Sequence, residues 1–396
     1  MFDGTIILYY SFFSEKKYFQ VESNKYLNKI KSWPFIDSSF NDYFINIFSK
    51  YTEIKSIPHE FLSPETFNYD DELCNCIFSI ETKLNFKEYK YLNIIKCGYK
   101  INGLNHKEIQ DLSKLKSEDL FEKIVELNIP ELRDKSGQIK KQLFAQKLKS
   151  QVILLDRNKL SFLERKYVLL DLALDREKGT SKRTIETEEP QRNAHSKSYI
   201  QALLNNSLID QYQDWSTIIT QKKIITIYDN DNSDNLLNNS VQFGLIYAQK
   251  IIVSELITCL NLWVNENKFE YNFELSKYYM HISRNLDFKI ISTKYLYNEY
   301  SKILDYNLKI NDEKEIINNK LKEIENILEK EKNQTSNLLL FAIAILQILT
   351  VFIDEIRNEA VEALRLNKTN VSHFILVTFV IICGIIIYLF LKRRKI

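Results

Sequence analysis

Two long apolar runs stand near the C-terminal end of the chain, Leu338 to Ile353 and Phe374 to Leu391. Each approaches the roughly 20 residues that a helix needs to cross the hydrocarbon core, once its flanks are counted. The pattern therefore predicts a hairpin of two closely spaced transmembrane helices. The second run stops at Lys392, Arg393, Arg394 and Lys395, a basic cluster that anchors this end on the cytosolic side. Two spans return the chain to its starting side, so the sequence predicts that both termini are cytosolic and that Asp354 to Ser372 is the only outer loop.

The two runs differ in their polar positions. The second is uniformly apolar, as lipid contact allows, whereas the first carries Asn337, Gln347 and Thr350 and leads into Asp354, Glu355 and Asn358. At 100° per residue, Gln347, Thr350, Asp354 and Asn358 share one sector, with Ala344 and Asn337 on its flank. A polar stripe on a spanning helix faces protein or water. It assigns Asn337, Ala344, Gln347 and Thr350 to a pore lining and Asp354, Glu355 and Asn358 to its outer mouth. The alternative is that Gln347 and Thr350 hydrogen-bond across a helix pair while the two carboxylates lie in the outer headgroups.

From Glu274 the spacing is helical, with neither Pro nor Gly before Gly384. Ile303, Ile310, Ile317 and Ile324 recur every seven residues, joined by Leu321 and Leu328 on a background of Lys, Glu and Asn. This heptad seam predicts one long stalk helix over 274–335, packed against copies of itself and running unbroken into the first span. A long helix packed only on its own domain is the other reading.

Ahead of the stalk, Thr5 to Phe13, Ile77 to Thr82 and Tyr91 to Cys97 read as strands of an α/β or α+β domain over 1–105. The first of these is short and lacks a basic flank, so it is read as a strand and not as a signal peptide. Residues 106–273 read as mainly helical, from Leu120, Ile124, Val125 and Leu127 and then Leu143, Leu148, Leu154 and Leu155, with one strand at Ile224 to Tyr228 and a polar loop at Gly179 to Ser198. The hairpin and tail complete the chain over 336–396.

Composition narrows the function classes. With 54 basic and 52 acidic residues the net charge is +2, which supplies no field to draw the protein onto nucleic acid, and no direct nucleic-acid binding is expected. The five cysteines are odd in number and scattered, which is not a disulfide framework. The Cys74-Asn75-Cys76 pair has no second pair at zinc spacing, so it reads as structural, and no metal site is assigned. Asn333, Asn367 and Asn370 head glycosylation triplets that an Asn-rich chain produces by chance. No phosphate-binding glycine loop, zinc-protease motif or nucleophile elbow occurs, and the five histidines are far apart in sequence. The expectation is a protein that is not an enzyme and requires no cofactor.

A mixed N-terminal domain, a long stalk entering the membrane, a short outer loop, a second span and a terminal Lys392-Arg393-Arg394-Lys395 cluster together resemble the CorA family of divalent-cation channels. The likeness is strongest from the Ile303 heptads onward. The family's Gly-Met-Asn signature is missing, because the first run ends Leu349-Thr350-Val351-Phe352-Ile353-Asp354-Glu355. CorA-like proteins without it include membrane effectors of type III CRISPR systems, which answer to a messenger built from S-adenosylmethionine and AMP. The resemblance implies a homopentamer in a bacterial inner membrane, with lipid and self as partners and a nucleotide messenger or divalent cation as ligand. It leaves a housekeeping Mg2+ transporter and a membrane-anchored scaffold as alternatives.

Overall fold

A computed structural model describes residues 1–14, 52–56, 76–82, 90–111, 113, 149–157, 159–186, 195–212, 214–229, 242–266 and 272–364. The chain divides into two compact units, Met1–Asn319 and Lys320–Ile396.

The first unit is mixed α/β. Its strands are β1 (Phe2–Ser14), β2 (Thr52–Ser56), β3 (Cys76–Glu81), β4 (Tyr91–Leu104), β5 (Lys149–Asp156), β6 (Leu208–Ile209), β7 (Trp215–Ile219) and β8 (Lys223–Tyr228). They form one eight-stranded sheet in the order β2-β3-β4-β1-β5-β8-β7-β6. Every described pairing is antiparallel except β5 with β8. Expected strands at Thr5–Phe13, Ile77–Thr82, Tyr91–Cys97 and Ile224–Tyr228 match β1, β3, β4 and β8. β1 enters through a bulge between Phe2 and Gly4. Gly4 has φ +148°, and a Cβ there would meet the Ile153 carbonyl oxygen at 1.9 Å, so only glycine lets β5 approach.

Helices α1 (Phe162–Ala173), α2 (Thr180–Glu186), α3 (Lys197–Ser207), α4 (Gly244–Glu266), α5 (Asn272–Asn285), α6 (Tyr295–Asn307) and α7 (Ile310–Leu364) follow. Ser161 starts α1 with a capping box, its hydroxyl accepting from Glu164 N–H while the Glu164 carboxylate accepts from Ser161 N–H. α1 covers one side of the sheet, where Val168, Leu169 and Leu172 join Ile6, Leu8, Val152, Leu154, Ile225 and Ile227 in one apolar core. α4 covers the other side, where the Tyr9 hydroxyl donates to Gln151 and Lys149 faces Glu255.

This double cover explains the first correction. Leu154 and Leu155, read as helical, lie on β5, and every residue of that strand is buried. A strand covered on both faces loses the period-2 signal that would have marked it. Since β5 pairs with β1, the expected boundary at residue 105 runs through a continuous sheet. Part of the expected polar loop at Gly179–Ser198 is instead the helix α2. The expected helix at Leu120–Leu127, and Leu143 and Leu148, lie outside the described residues.

The expected single stalk over 274–335 is three helices. Without Pro or Gly, the break after α5 is made by side chains: the Asn298 carboxamide oxygen accepts from Ile291 N–H and Ser292 N–H, and Ser292 Oγ accepts from Lys294 N–H. Lys309, at φ 57°, makes the second break between α6 and α7.

Candidate functional site

The base of α7 is fixed by apolar burial and by charge. Ile310 and Ile317 are fully buried within the first unit, and Asp312 and Glu313 occupy the first turn, where carboxylates suit the helix dipole. Lys314 pairs with Asp287 in the link after α5. Asp287 also lies 3.5 Å from Lys250 of α4, and Lys250 lies 2.7 Å from Asp305 of α6. The Lys250 ammonium additionally reaches the Phe288 carbonyl at 3.4 Å, and Asn261 of α4 donates to the Glu313 carboxylate.

Two lysines and two aspartates thus balance inside the protein, and Lys250 has no exposed side-chain surface. Burial lowers the pKa of Lys250, opposed by Asp305, and raises that of Asp305, opposed by Lys250. Burial, reinforced by the neighbouring Lys250 charge, lowers Lys314 to about 8. Removing ions from water is unfavourable unless each finds a well-placed opposite, so the quartet ties α4, α6 and α7 into one arrangement. Sequence reasoning missed it. The available signal was a lone Lys250 in the apolar stretch Gly244–Leu262, since a lysine there needs a buried carboxylate.

Gly244–Leu262 is also the one helix among the described residues found long and apolar enough to cross a membrane, and 78% of it is buried in the protein. It is a core helix of the first unit.

The pore-lining and mouth candidates all fall on α7. Asn337, Ala344 and Gln347 are exposed, whereas the side chains of Thr350, Asp354, Glu355 and Asn358 lie outside the described residues. Leu339, Leu340, Phe341 and Ile343 between them are 53%, 60%, 64% and 44% exposed. The helix continues to Leu364, which corrects the expectation that Asp354 begins an outer loop. The second apolar run and Lys392, Arg393, Arg394 and Lys395 lie outside the described residues.

The proposed oligomer seam divides. Ile303 lies on α6, separated from the rest by the turn at Lys309, and it is half-buried. Ile310 and Ile317 are covered by their own chain and offer no surface to another copy, because a heptad of isoleucines is equally served by an intrachain core. Leu321 and Ile324 are half-buried, and the Leu328 side chain lies outside the described residues. Among the described residues, no group of three or more His, Cys, Asp or Glu side chains is placed to hold a metal.

Compared with protein-family models, with curated proteins and with solved structures, the chain matches none.

Proposed function

We propose that this chain is a subunit of a CorA-like oligomeric membrane channel whose cytosolic α/β body senses a nucleotide messenger, as in an antiviral effector of the type III CRISPR kind. The observation that carries the reading is the single helix Ile310–Leu364, which starts in a buried ion network and contains an apolar run with outward-facing Leu339, Leu340 and Phe341. In this reading Leu338–Ile353 is the first span of a bacterial inner-membrane hairpin and Phe374–Leu391 the second. Asn337, Ala344, Gln347 and Thr350 line the pore. Asp354, Glu355 and Asn358 sit at its outer end, where a ring of carboxylates concentrates cations. The subunits assemble as a homopentamer around that helix, with the half-buried Leu321 and Ile324, and Leu328, as the seam.

Gating follows from differential binding. A ligand that prefers one arrangement of the body biases the pore by the difference in its two affinities. Moving the equilibrium from mostly closed to mostly open takes about 5 kcal/mol, or about 1 kcal/mol from each of five sites. The test is ion flux in proteoliposomes with and without nucleotides on the body side, including the conjugate of S-adenosylmethionine and AMP. Messenger-dependent flux, reduced in Asp354→Asn, is expected. Constitutive Mg2+ flux indifferent to nucleotides would leave a transporter, and no flux under any condition would leave a membrane-anchored scaffold.

A further inference from the structure

The turn after α1 holds an arginine whose guanidinium ends find no hydrogen-bond partner among the described residues. Its backbone is fixed from several sides: Arg176 N–H donates to the Asp171 carbonyl at 2.8 Å, and the Arg176 carbonyl lies 2.9 Å from His106 Nε2 and accepts from Gln110 Nε2 at 2.7 Å. The natural partner for its side chain is Asp171, which is fully buried. The Asp171 carboxylate, however, accepts Gly179 N–H and Ser181 N–H, each at 2.7 Å. Both terminal nitrogens of Arg176 are shut off from solvent and, among the described residues, have no hydrogen-bond partner. Ser181 Oγ is in the same condition.

Buried donors are almost always bonded, and a charged donor left without a partner is costlier than a neutral one. A guanidinium fork held in one place by its backbone, with both prongs unused, has the geometry that takes two oxygens of a phosphate. Beside it His195 stacks on Tyr199, ring centres 4.6 Å apart and planes 29° from parallel, and Tyr199 is 47% exposed. Burial, reinforced by the Arg176 charge, holds the His195 imidazole below its ordinary pKa, and the same charge acts on Tyr199. A largely neutral stacked pair next to a cation offers a flat apolar face beside an anion site, which is the chemistry of a base attached to a phosphate.

We propose that Arg176, His195 and Tyr199 form a nucleotide-binding site, with a phosphate on the Arg176 fork and the base against the His195–Tyr199 pair. This places the ligand of the channel reading above and rests on that reading for its role, but not for its existence.

The probe is AMP, titrated calorimetrically into the full chain in detergent, with inorganic phosphate as comparison. AMP binding is expected. Arg176→Gln should weaken it by about tenfold or more, since a bidentate charge-assisted contact is lost. Tyr199→Ala should weaken AMP while leaving phosphate unchanged. Because no described residue bonds the terminal nitrogens of the guanidinium, Arg176→Gln should melt at the same temperature as the parent or higher. No binding of AMP or phosphate at millimolar concentration would overturn the proposal, as would undiminished AMP binding by Arg176→Gln or a clear drop in its melting temperature. AMP binding lost in Arg176→Gln, in a protein that carries no flux, would sustain the site and remove the channel. Nucleotide-opened flux unaltered by Arg176→Gln would remove the site and leave the channel.

Discussion

Helix α4 and the Leu338–Ile353 stretch of α7 are built from the same residue types, yet they have different surroundings. Both are dominated by Leu, Ile and Val and both carry a few polar positions. In α4 most apolar side chains find protein: Leu256, Ile257 and Leu260 have no exposure, and Leu262 near its end is the exception at 58%. Its polar members are answered in kind: Lys250 by Asp287 and Asp305, Lys149 by its own Glu255, and Leu286 by its Gln249. In α7 the described apolar side chains from Leu339 to Ile343 remain outward. A soluble protein rarely exposes such a patch without a partner or a membrane to cover it. Apolar length alone therefore does not mark a span, since Gly244–Leu262 has that length and is mostly covered by protein.

The sharpest way to break this contrast is labelling from within the bilayer. A lipid-soluble photoreactive carbene should modify Leu338–Ile353 and leave Gly244–Leu262 unmodified, read by peptide mapping. Comparable labelling of both stretches would erase the distinction.

The next effect is on stability. Lys250→Ala leaves Asp287 and Asp305 buried beside a missing charge, and should destabilise the first unit by about 3–5 kcal/mol in thermal unfolding. Gln347→Ala should leave that transition in place.

Apolar truncation separates the helices in the same way. Leu256→Ala should lower stability by about 3 kcal/mol through a cavity in the α4 packing, whereas Leu340→Ala should change the unfolding of the first unit by no more than about 0.5 kcal/mol.

The smallest effect is on pH dependence. Lys314 has a folded-state pKa of about 8 against an ordinary 10.5, so between these values the unfolded chain binds more protons. Stability contributed by this group therefore rises with pH across that window and is lost as pH falls through 8. The slope is at most about 1.4 kcal/mol per pH unit. Thermal unfolding at pH 8 and 9.5 should show this rise in the parent and its loss in Lys314→Met. An identical slope in both would mean that Lys314 is not held as a buried cation.

Local pattern carried some elements directly. β1, β4 and β8 are runs of β-branched and aromatic residues whose type is visible without a partner, and the seven-residue isoleucine spacing correctly announced helix across Ile310–Ile324. It did not announce what those isoleucines touch, and Ile310 and Ile317 turned out to be core. β7 was missed inside the stretch 106–273 read as mainly helical, although it forms with β8 a hairpin closed by Thr220 and Lys223. Of the candidate sites, the residues of the α7 stripe could be named from spacing, while Arg176 could not, because its significance lies in what Asp171 bonds instead.

By itself the sequence determined which segments are apolar enough to be buried and which period they keep, since these depend only on side-chain type and order. Only the tertiary structure decided that Gly244–Leu262 is covered by a sheet, that β5 is a central strand, and that a helix expected from residue 274 begins at Ile310. The first two depend on contacts between residues far apart in the chain, as does the pairing of Lys250 with Asp287, 37 residues on, which no local window contains; the helix breaks rest on nearer groups, Asn298 and Lys309, whose part shows only in the folded backbone.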